Sequence, residues 1–219
     1  MATFFKLFDV QTQLTFYGAY HSNRINILIH MIFVPVLLVL PAFQLSVLDS
    51  NTLSRSFQVM ASSIPVPSFL PAIHQSFSQH LVFDLNYPAI HAALYIVYYF
   101  TLEPVAALLY TPQMVLSLLT ATAYSRASGH IATAGMLHAA AWVAQFLGHG
   151  LAEGRAPALL DNILGAVVLA PFFVHLEILF GLGYRPQMHK QLNNEIGKEI
   201  AKVRKAKGDQ RRAAAGKET

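Results

Sequence analysis

The sequence contains no cysteine, so it can form neither a disulfide nor a thiolate metal site. Any metal ion would have to be held by His, Asp or Glu side chains, or by backbone, amide or water oxygens. Charged residues are also scarce: they make up 12% of the 219 residues, whereas 54% are hydrophobic. That is too little charge for the surface of a soluble domain of this size. The composition therefore favours a membrane protein with a single domain.

The sequence motifs of several common enzyme classes are absent as well. The chain has no GxGxxG dinucleotide fingerprint, no phosphate-cradling loop and no Ser/His/Asp nucleophile arrangement. Residues 1–9 do not resemble a signal peptide, because they lack a continuous apolar run and a small-residue cleavage site. We therefore expect membrane insertion to use internal segments of the chain.

Basic residues are concentrated near the C-terminus. Nine of the 15 Lys and Arg residues, with four acidic residues, lie in residues 190–219, whereas residues 1–189 carry six basic and seven acidic residues. Residues 191–219 are predicted to form a basic, partly disordered tail, a charged helix that frays after Gly208. Such a tail suits the cytoplasmic side and anionic lipid headgroups. No basic face with interleaved aromatic residues is present, so we do not expect nucleic-acid binding.

Long apolar segments predict a single helical membrane domain over residues 1–190. The segments cover residues 27–48, 89–110, 131–151 and 159–182, with a shorter one at 114–124. Proline or charge interrupts several of them, so some would be re-entrant or interfacial rather than clean crossings of ~20 residues. We predict an all-α, multi-span membrane protein with Pro-broken or re-entrant helices around a His-lined site. Residues 49–88, rich in Ser, Gln and Pro, are predicted to form an irregular loop or insertion with short helical turns.

One apolar segment carries polar side chains at helical spacing. On a continuous α-helix a single face would present His138, Trp142, Gln145, His149 and Glu153. Polar groups in an apolar segment need partners, and a metal ion or a substrate is one such partner. His149 and Glu153 are spaced for two ligands, or for a ligand and the carboxylate that orients it. The alternative is a polar contact between helices.

His138 lies about 16 Å from His149 along a straight helix, too far to share one metal ion. It would serve a second metal, a substrate carboxylate or packing. A second group contains His21, Asn26 and His30, in which Asn26 is placed to hydrogen-bond the His30 ring. His21 and His30 converge only if the polar stretch after His21 is a turn. Otherwise His21 is interfacial and His30 a satisfied polar group in the core.

These motifs, taken together, closely resemble the Mpo1-like family. The N-terminal motif comprises Tyr17, Tyr20, His21, Asn26, His30 and Pro35. The C-terminal motif comprises His138, Trp142, Gln145, His149, Glu153, Arg155, Pro157, Asp161, Pro171, Glu177 and Tyr184. The resemblance covers residues 10–48 and 89–190 and excludes residues 49–88 and the tail. The characterised members are 2-hydroxy fatty acid dioxygenases of the endoplasmic reticulum membrane.

The resemblance implies an Fe(II)-dependent α-oxidation. A long-chain 2-hydroxy fatty acid and O₂ would give CO₂ and the acid one carbon shorter, a step in phytosphingosine degradation. The family's motif histidines match His21, His30, His138 and His149, and Glu153 would be a fifth ligand or would lie beside one. We expect His21, His30 and His149 to be catalytic. The candidate substrate-binding residues are Asn26, Gln145 and Arg155.

Other interpretations fit the residues less well. Arg155 would contact a substrate carboxylate or form an ion pair with Asp161. Membrane di-iron hydroxylases and desaturases carry repeated HxxHH clusters, and this chain has none. A non-enzymatic membrane protein, with a proton or solute path or a membrane-shaping role, would leave the two motifs no reason to occur together. The residues leave open the oligomeric state and which histidines share one iron.

Overall fold

The computed structural model describes residues 6–37, 56–126, 130–157 and 163–215, and this part of the chain is mostly helical. The elements are α1 Val10–Gly18, α2 Arg24–Leu37, α3 Ser56–Ser62, β1 His74–Ser78, β2 Leu81–Asp84, α4 Tyr87–Leu102, α5 Pro104–Ser125, α6 His130–Leu147, a π-helix Gly148–Glu153, α7 Ile163–Gly181 and α8 Pro186–Ala215. The predicted helical class is confirmed, and one β-hairpin is the exception to it.

The junction between α4 and α5 confirms that Glu103 and Pro104 interrupt the predicted span over residues 89–110. Glu103 is extended, with φ −150° and ψ 93°, because the residue before a proline is disfavoured in the helical region. Pro104 then begins α5 at a position where its missing N–H costs nothing. The prediction of a separate short segment at 114–124 is wrong, since α5 continues from Pro104 through Pro112 to Ser125.

The irregular loop predicted for residues 49–88 contains, in its described part, helix α3 and the hairpin. Strands β1 and β2 are antiparallel, with His74 opposite Asp84 and Ser76 opposite Val82. All of β1 is exposed, whereas Val82 on β2 is buried and β2 packs against α5. A polar strand without alternating apolar residues gives little sequence signal, which explains why the pattern missed it.

The main core lies between α4, α5 and α7, and α1 is packed against it. Tyr99 is fully buried and stacks on Phe172 of α7, with ring centroids 4.4 Å apart. Its hydroxyl donates to the Val168 carbonyl at 2.6 Å, so a large aromatic is buried without an unsatisfied polar atom. Tyr17 of α1 packs against Phe173 of the same helix, 4.4 Å between centroids. This core therefore fixes α1 relative to α7.

Two stretches among the described residues are long and apolar enough to cross a membrane, Pro104–Ser125 and His130–Glu153. Shorter apolar helical stretches are Arg24–Val34 and Val167–Gly181. Only 22% of the apolar window in His130–Glu153 is buried, so most of its apolar side chains face outward. This is weak support for membrane association, because the core helix of a soluble protein can have the same length and composition. The multi-span arrangement stays a prediction.

Helix α8 has a packed first half and an exposed second half. Leu192 is buried in the main core, and Ile196 lies against Gly18 of α1. A Cβ at Gly18 would overlap the end of the Ile196 side chain, so glycine permits this close packing. Residues 204–215 are exposed except Gly208, and the helix continues to Ala215, past the predicted fraying point. The predicted tail at 191–219 thus begins inside a packed helix.

We predict that Leu192→Ala lowers the stability of the protein by about 2–5 kcal/mol, because it leaves a cavity between α8 and the core. The matched control is Leu182→Ala, since Leu182 is 80% exposed and its truncation removes no packing. The midpoint of denaturant unfolding in detergent measures both. Equal shifts for the two variants would contradict the docking of α8 through Leu192.

Candidate metal centre

Three histidines from distant parts of the sequence meet in one buried group. His21, His30 and His149 are 5%, 4% and 3% exposed. Their ring centroids are 4.4 Å apart for His21 and His30, 4.8 Å for His21 and His149, and 4.9 Å for His30 and His149. One ring nitrogen from each lies within 4.8 Å of the others. Each ring is nearly perpendicular to its neighbours, which suits three donors aimed at a common centre.

The short connection between α1 and α2 brings His21 back to His30. The His21 backbone N–H donates to the Gly18 carbonyl at 3.0 Å, and α2 begins at Arg24. Asn23 starts that helix: its side-chain oxygen accepts from the Ile25 N–H at 2.9 Å. The sequence condition for convergence, a turn after His21, is therefore met.

Backbone carbonyls orient two of the rings. His21 Nδ1 lies 2.8 Å from the Tyr17 carbonyl oxygen, and His30 Nδ1 lies 2.9 Å from the Asn26 carbonyl oxygen. A carbonyl only accepts, so each Nδ1 carries the proton and each Nε2 keeps a lone pair for a ligand. The predicted hydrogen bond from the Asn26 side chain to His30 is wrong, because the Asn26 backbone takes that role.

A π-helix presents the third ring. The α-helical hydrogen bonding of α6 ends at Leu147, and residues 148–153 form a wider turn in which the Gly154 N–H donates to the His149 carbonyl. Gly154 is left-handed, with φ 61°, and ends this turn. The predicted face from His138 to Glu153 assumed a continuous α-helix, and that assumption fails at Gly148. Single π-turns inside helices are frequent at functional sites.

The surroundings keep the His21 imidazole neutral. Its ring stacks on Tyr17 at 4.1 Å between centroids, and Phe173 lies 5.8 Å away. Burial, and then the neighbouring His30, hold the pKa of His21 well below its ordinary value. A neutral imidazole is the form that binds a metal ion.

The donor atoms pass a simple test for a metal site. His21 Nε2 and His149 Nδ1 are buried and have no hydrogen-bond partner in the described part of the chain. Such atoms are expensive to bury unless something else satisfies them. Three neutral imidazole nitrogens without a thiolate suit a divalent ion such as Fe(II) or Zn(II). The three histidines therefore fit a metal ion. Such an ion would also satisfy the two unpaired nitrogens of His21 and His149.

Glu153 lies beside this group and contacts the start of α2. Its carboxylate accepts from the Ser22 N–H at 3.2 Å, the Ser22 hydroxyl at 2.5 Å and the Asn23 N–H at 2.9 Å. It also accepts from the Asn26 side-chain amide at 3.2 Å. The sequence did not predict Ser22 and Asn23 as its partners. The polar stretch before α2 shows that hydrogen-bonding groups are present there, but nothing in it indicates residue 153 as their partner.

Two further predicted residues lie along α6. His138 is outside the three-histidine group, and its Nε2 accepts from the Trp142 indole N–H at 3.0 Å. Gln145 is buried and donates to the Ala141 carbonyl of its own helix at 3.4 Å. Their proposed roles in ligand and substrate binding stay predictions.

Arg155 follows the π-helix and holds the α1–α2 connection. Its guanidinium donates to the Ala19 carbonyl at 2.9 Å and lies 3.5 Å from the centre of the Tyr20 ring. Its alternative partner, Asp161, is outside the described residues. Next to Arg155, an open cleft of about 460 Å³ runs between α1 and α8. Arg155 is thus close to the histidines in the fold, although its own described contacts are structural.

Known proteins match most of the chain. A family model described as 2-hydroxy-palmitic acid dioxygenase Mpo1-like matches residues 7–182, including the loop at 49–88 that the motif resemblance leaves out. The 2-hydroxy-palmitic acid dioxygenase MPO1 of Saccharomyces cerevisiae is 31% identical over 190 residues, which are 87% of this chain and 91% of that protein. No solved structure gives a significant match. The three clustered histidines all lie within the matched residues, and the chain belongs to the Mpo1-like family.

Proposed function

We propose that the protein is an Fe(II)-dependent dioxygenase of long-chain 2-hydroxy fatty acids. A 2-hydroxy acid and O₂ give the acid one carbon shorter, CO₂ and water, so that the bond between C1 and C2 breaks and C2 becomes the new carboxyl carbon. The buried group of His21, His30 and His149 carries this proposal. The curated relative, named for 2-hydroxy-palmitic acid, supports the substrate class.

The three histidines would hold the iron. When bound, Fe(II) supplies redox chemistry toward O₂ and accepts oxygen ligands such as the α-hydroxyl and carboxylate of the substrate. The Tyr17 and Asn26 carbonyls keep the Nε2 atoms of His21 and His30 unprotonated and fixed in direction. The Tyr17 and Phe173 rings exclude water from one side of His21.

An apolar surface beside the histidines suits an acyl chain. Helix α2 buries Asn26 and His30 and exposes a stripe of Ile25, Leu28 and Ile32 on another face. Helix α6 and the π-helix, which pack against α2, expose Val143, Leu147 and Leu151 in the same way. We propose that the acyl chain lies along these side chains. The polar end of the substrate then meets the histidines near Asn26, Gln145 and Arg155.

The same surface supports a membrane location. We propose a multi-pass protein of the endoplasmic reticulum membrane that acts in phytosphingosine degradation, with its basic C-terminus in the cytoplasm. The apolar helices Pro104–Ser125 and His130–Glu153 support insertion. The exposed second half of α8 carries Arg204, Lys205, Lys207, Arg211 and Arg212 against one acid, Asp209, and this charge favours anionic headgroups.

Metal binding tests the histidine site. We predict one Fe(II) per chain in the purified protein, and loss of that iron in both His21→Ala and His149→Ala without unfolding. Each variant removes one of three donors. The matched control is His80→Ala, an exposed histidine outside the group, which should retain iron. Metal analysis and circular dichroism provide the readouts. Full iron content in either of the first two variants would return that residue to a structural role.

Substrate choice tests the reaction. We predict that a long-chain 2-hydroxy acid is consumed with equal amounts of O₂ and releases C1 as CO₂, whereas the same acid without the hydroxyl does not react. The unsubstituted acid offers only its carboxylate and has no oxidised C2. Longer chains should raise kcat/KM, since each buried methylene contributes about 0.8 kcal/mol until the apolar surface is covered. An oxygen electrode and C1-labelled acids measure this. Equal oxygen consumption with both acids would contradict the reaction.

The exposed half of α8 should be dispensable for chemistry. We predict that truncation after Val203 preserves turnover in detergent, because Leu192 and the contact of Ile196 with Gly18 remain. In proteoliposomes, phosphatidylserine should protect the basic half of the full-length chain from trypsin, and phosphatidylcholine should not. Lost turnover in a folded truncated protein, or equal cleavage in both lipids, would contradict these roles.

A further inference from the structure

Glu153 connects the two parts of the chain that supply the histidines. His21 and His30 belong to the α1–α2 region, whereas His149 belongs to the π-helix more than a hundred residues later. The Glu153 side chain bridges this gap through Ser22, Asn23 and Asn26, which are 127 to 131 residues away in sequence. It is therefore placed to set the distance between the two parts.

The carboxylate of Glu153 is fully used by these contacts. Oε1 accepts from the Ser22 hydroxyl and shares the Ser22 N–H with Oε2. Oε2 also accepts from the Asn23 N–H and the Asn26 amide. An ionised carboxylate has about four lone-pair positions. Five hydrogen-bond contacts occupy them, so little capacity is left for a metal ion.

The position of the carboxylate is also favourable electrostatically. The N–H groups of Ser22 and Asn23 lie just before Arg24, the first residue of α2, and the start of a helix carries partial positive charge. A negative side chain at this point forms charge-assisted hydrogen bonds, which are stronger and more directional than neutral ones. Glu153 thus adds a negative charge from another element beside the start of α2, which the Asn23 side chain caps.

A second contact fixes the other end of the π-helix. Gly148 lies so close to α2 that a Cβ would be 2.7 Å from the Asn26 side-chain oxygen and 3.1 Å from Ile29. The Asn23 amide also donates to the Ala152 carbonyl at 2.7 Å. His149 therefore lies between a close backbone contact at Gly148 and polar anchors at Ala152 and Glu153.

We infer that Glu153 is a positioning residue, which holds the π-helix against the start of α2 so that His149 reaches His21 and His30, and that it is not itself a metal ligand. The inference rests on the proposed metal site of these three histidines. The sequence left two alternatives for Glu153, a metal ligand or a carboxylate that orients one. The inference selects the second.

The test uses the full-length chain in detergent and Co(II), whose visible absorption reports the ligand set. We expect Glu153→Gln to weaken Co(II) binding by about 10- to 100-fold, as loss of an orienting partner does. At saturating Co(II) its absorption bands should match those of the parent protein, because no ligand is lost. His149→Ala, which loses iron on purification but keeps two of the three donors, is measured in excess added Co(II) and provides the spectrum of a missing ligand. Bands in Glu153→Gln that shift toward the His149→Ala spectrum would overturn the inference.

A matched control and a metal-free measurement complete the design. Glu177→Gln makes the same chemical change on α7 and should leave Co(II) affinity unchanged. Without metal, hydrogen exchange in peptides covering residues 19–26 should be faster in Glu153→Gln and unchanged in α5. Unaltered exchange there, or unaltered Co(II) affinity, would overturn the positioning role. If exchange is faster in Glu153→Gln than in the parent protein but the parent binds neither Co(II) nor Fe(II), the proposed function and the link to a metal are refuted.

Discussion

Three imidazoles can share a buried space only when they stay neutral and each ring nitrogen has a hydrogen-bond partner or a metal ion. In this protein the burial of His21, His30 and His149 sets that requirement, and the local structure provides partners for part of these nitrogens. Two Nδ1 atoms are satisfied by carbonyls one helical turn back, which also fixes both ring directions. One nitrogen each of His21 and His149 lacks a hydrogen-bond partner, and a bound metal ion would satisfy both.

Much of the fold followed from composition and spacing. The low charge and long apolar segments predicted helices, and the helices are there. The break at Glu103 and Pro104 was visible in the sequence, but the pattern could not tell an interrupted span from two helices. The hairpin was not predictable from alternation, because β1 is polar and exposed along its whole length, and the buried residue of the pair, Val82, lies on β2, which packs against α5. Pro104 decided the first of these places, and tertiary packing decided the second.

The site shows a similar division. Spacing alone predicted the pairs His149 with Glu153 and His21 with His30. It also predicted that the second pair converges only if a turn follows His21. The change from α-helix to π-helix at Gly148 could not be stated, because spacing along one helix does not report that Gly148 lies against Asn26 and Ile29 of another helix. The partners of Glu153 were hidden for the same reason: sequence periodicity reports neighbours on one element, and these contacts join residues far apart in the chain.

The positions of His21 just before α2 and of His30 within it would also let one site serve the proposed substrate, which has two different ends. The helix begins at a polar turn, where Ser22 and Arg24 are exposed, and continues into a stripe of exposed apolar side chains. In the proposed reaction the carboxylate and hydroxyl would stay at the polar end, near the exposed Ser22 and Arg24. The acyl chain would remain beside apolar side chains or lipid, so little of it has to enter water. Because His21 belongs to the polar turn and His30 to the apolar helix, the three-histidine group lies at this boundary, where C1 and C2 of such a substrate would be found.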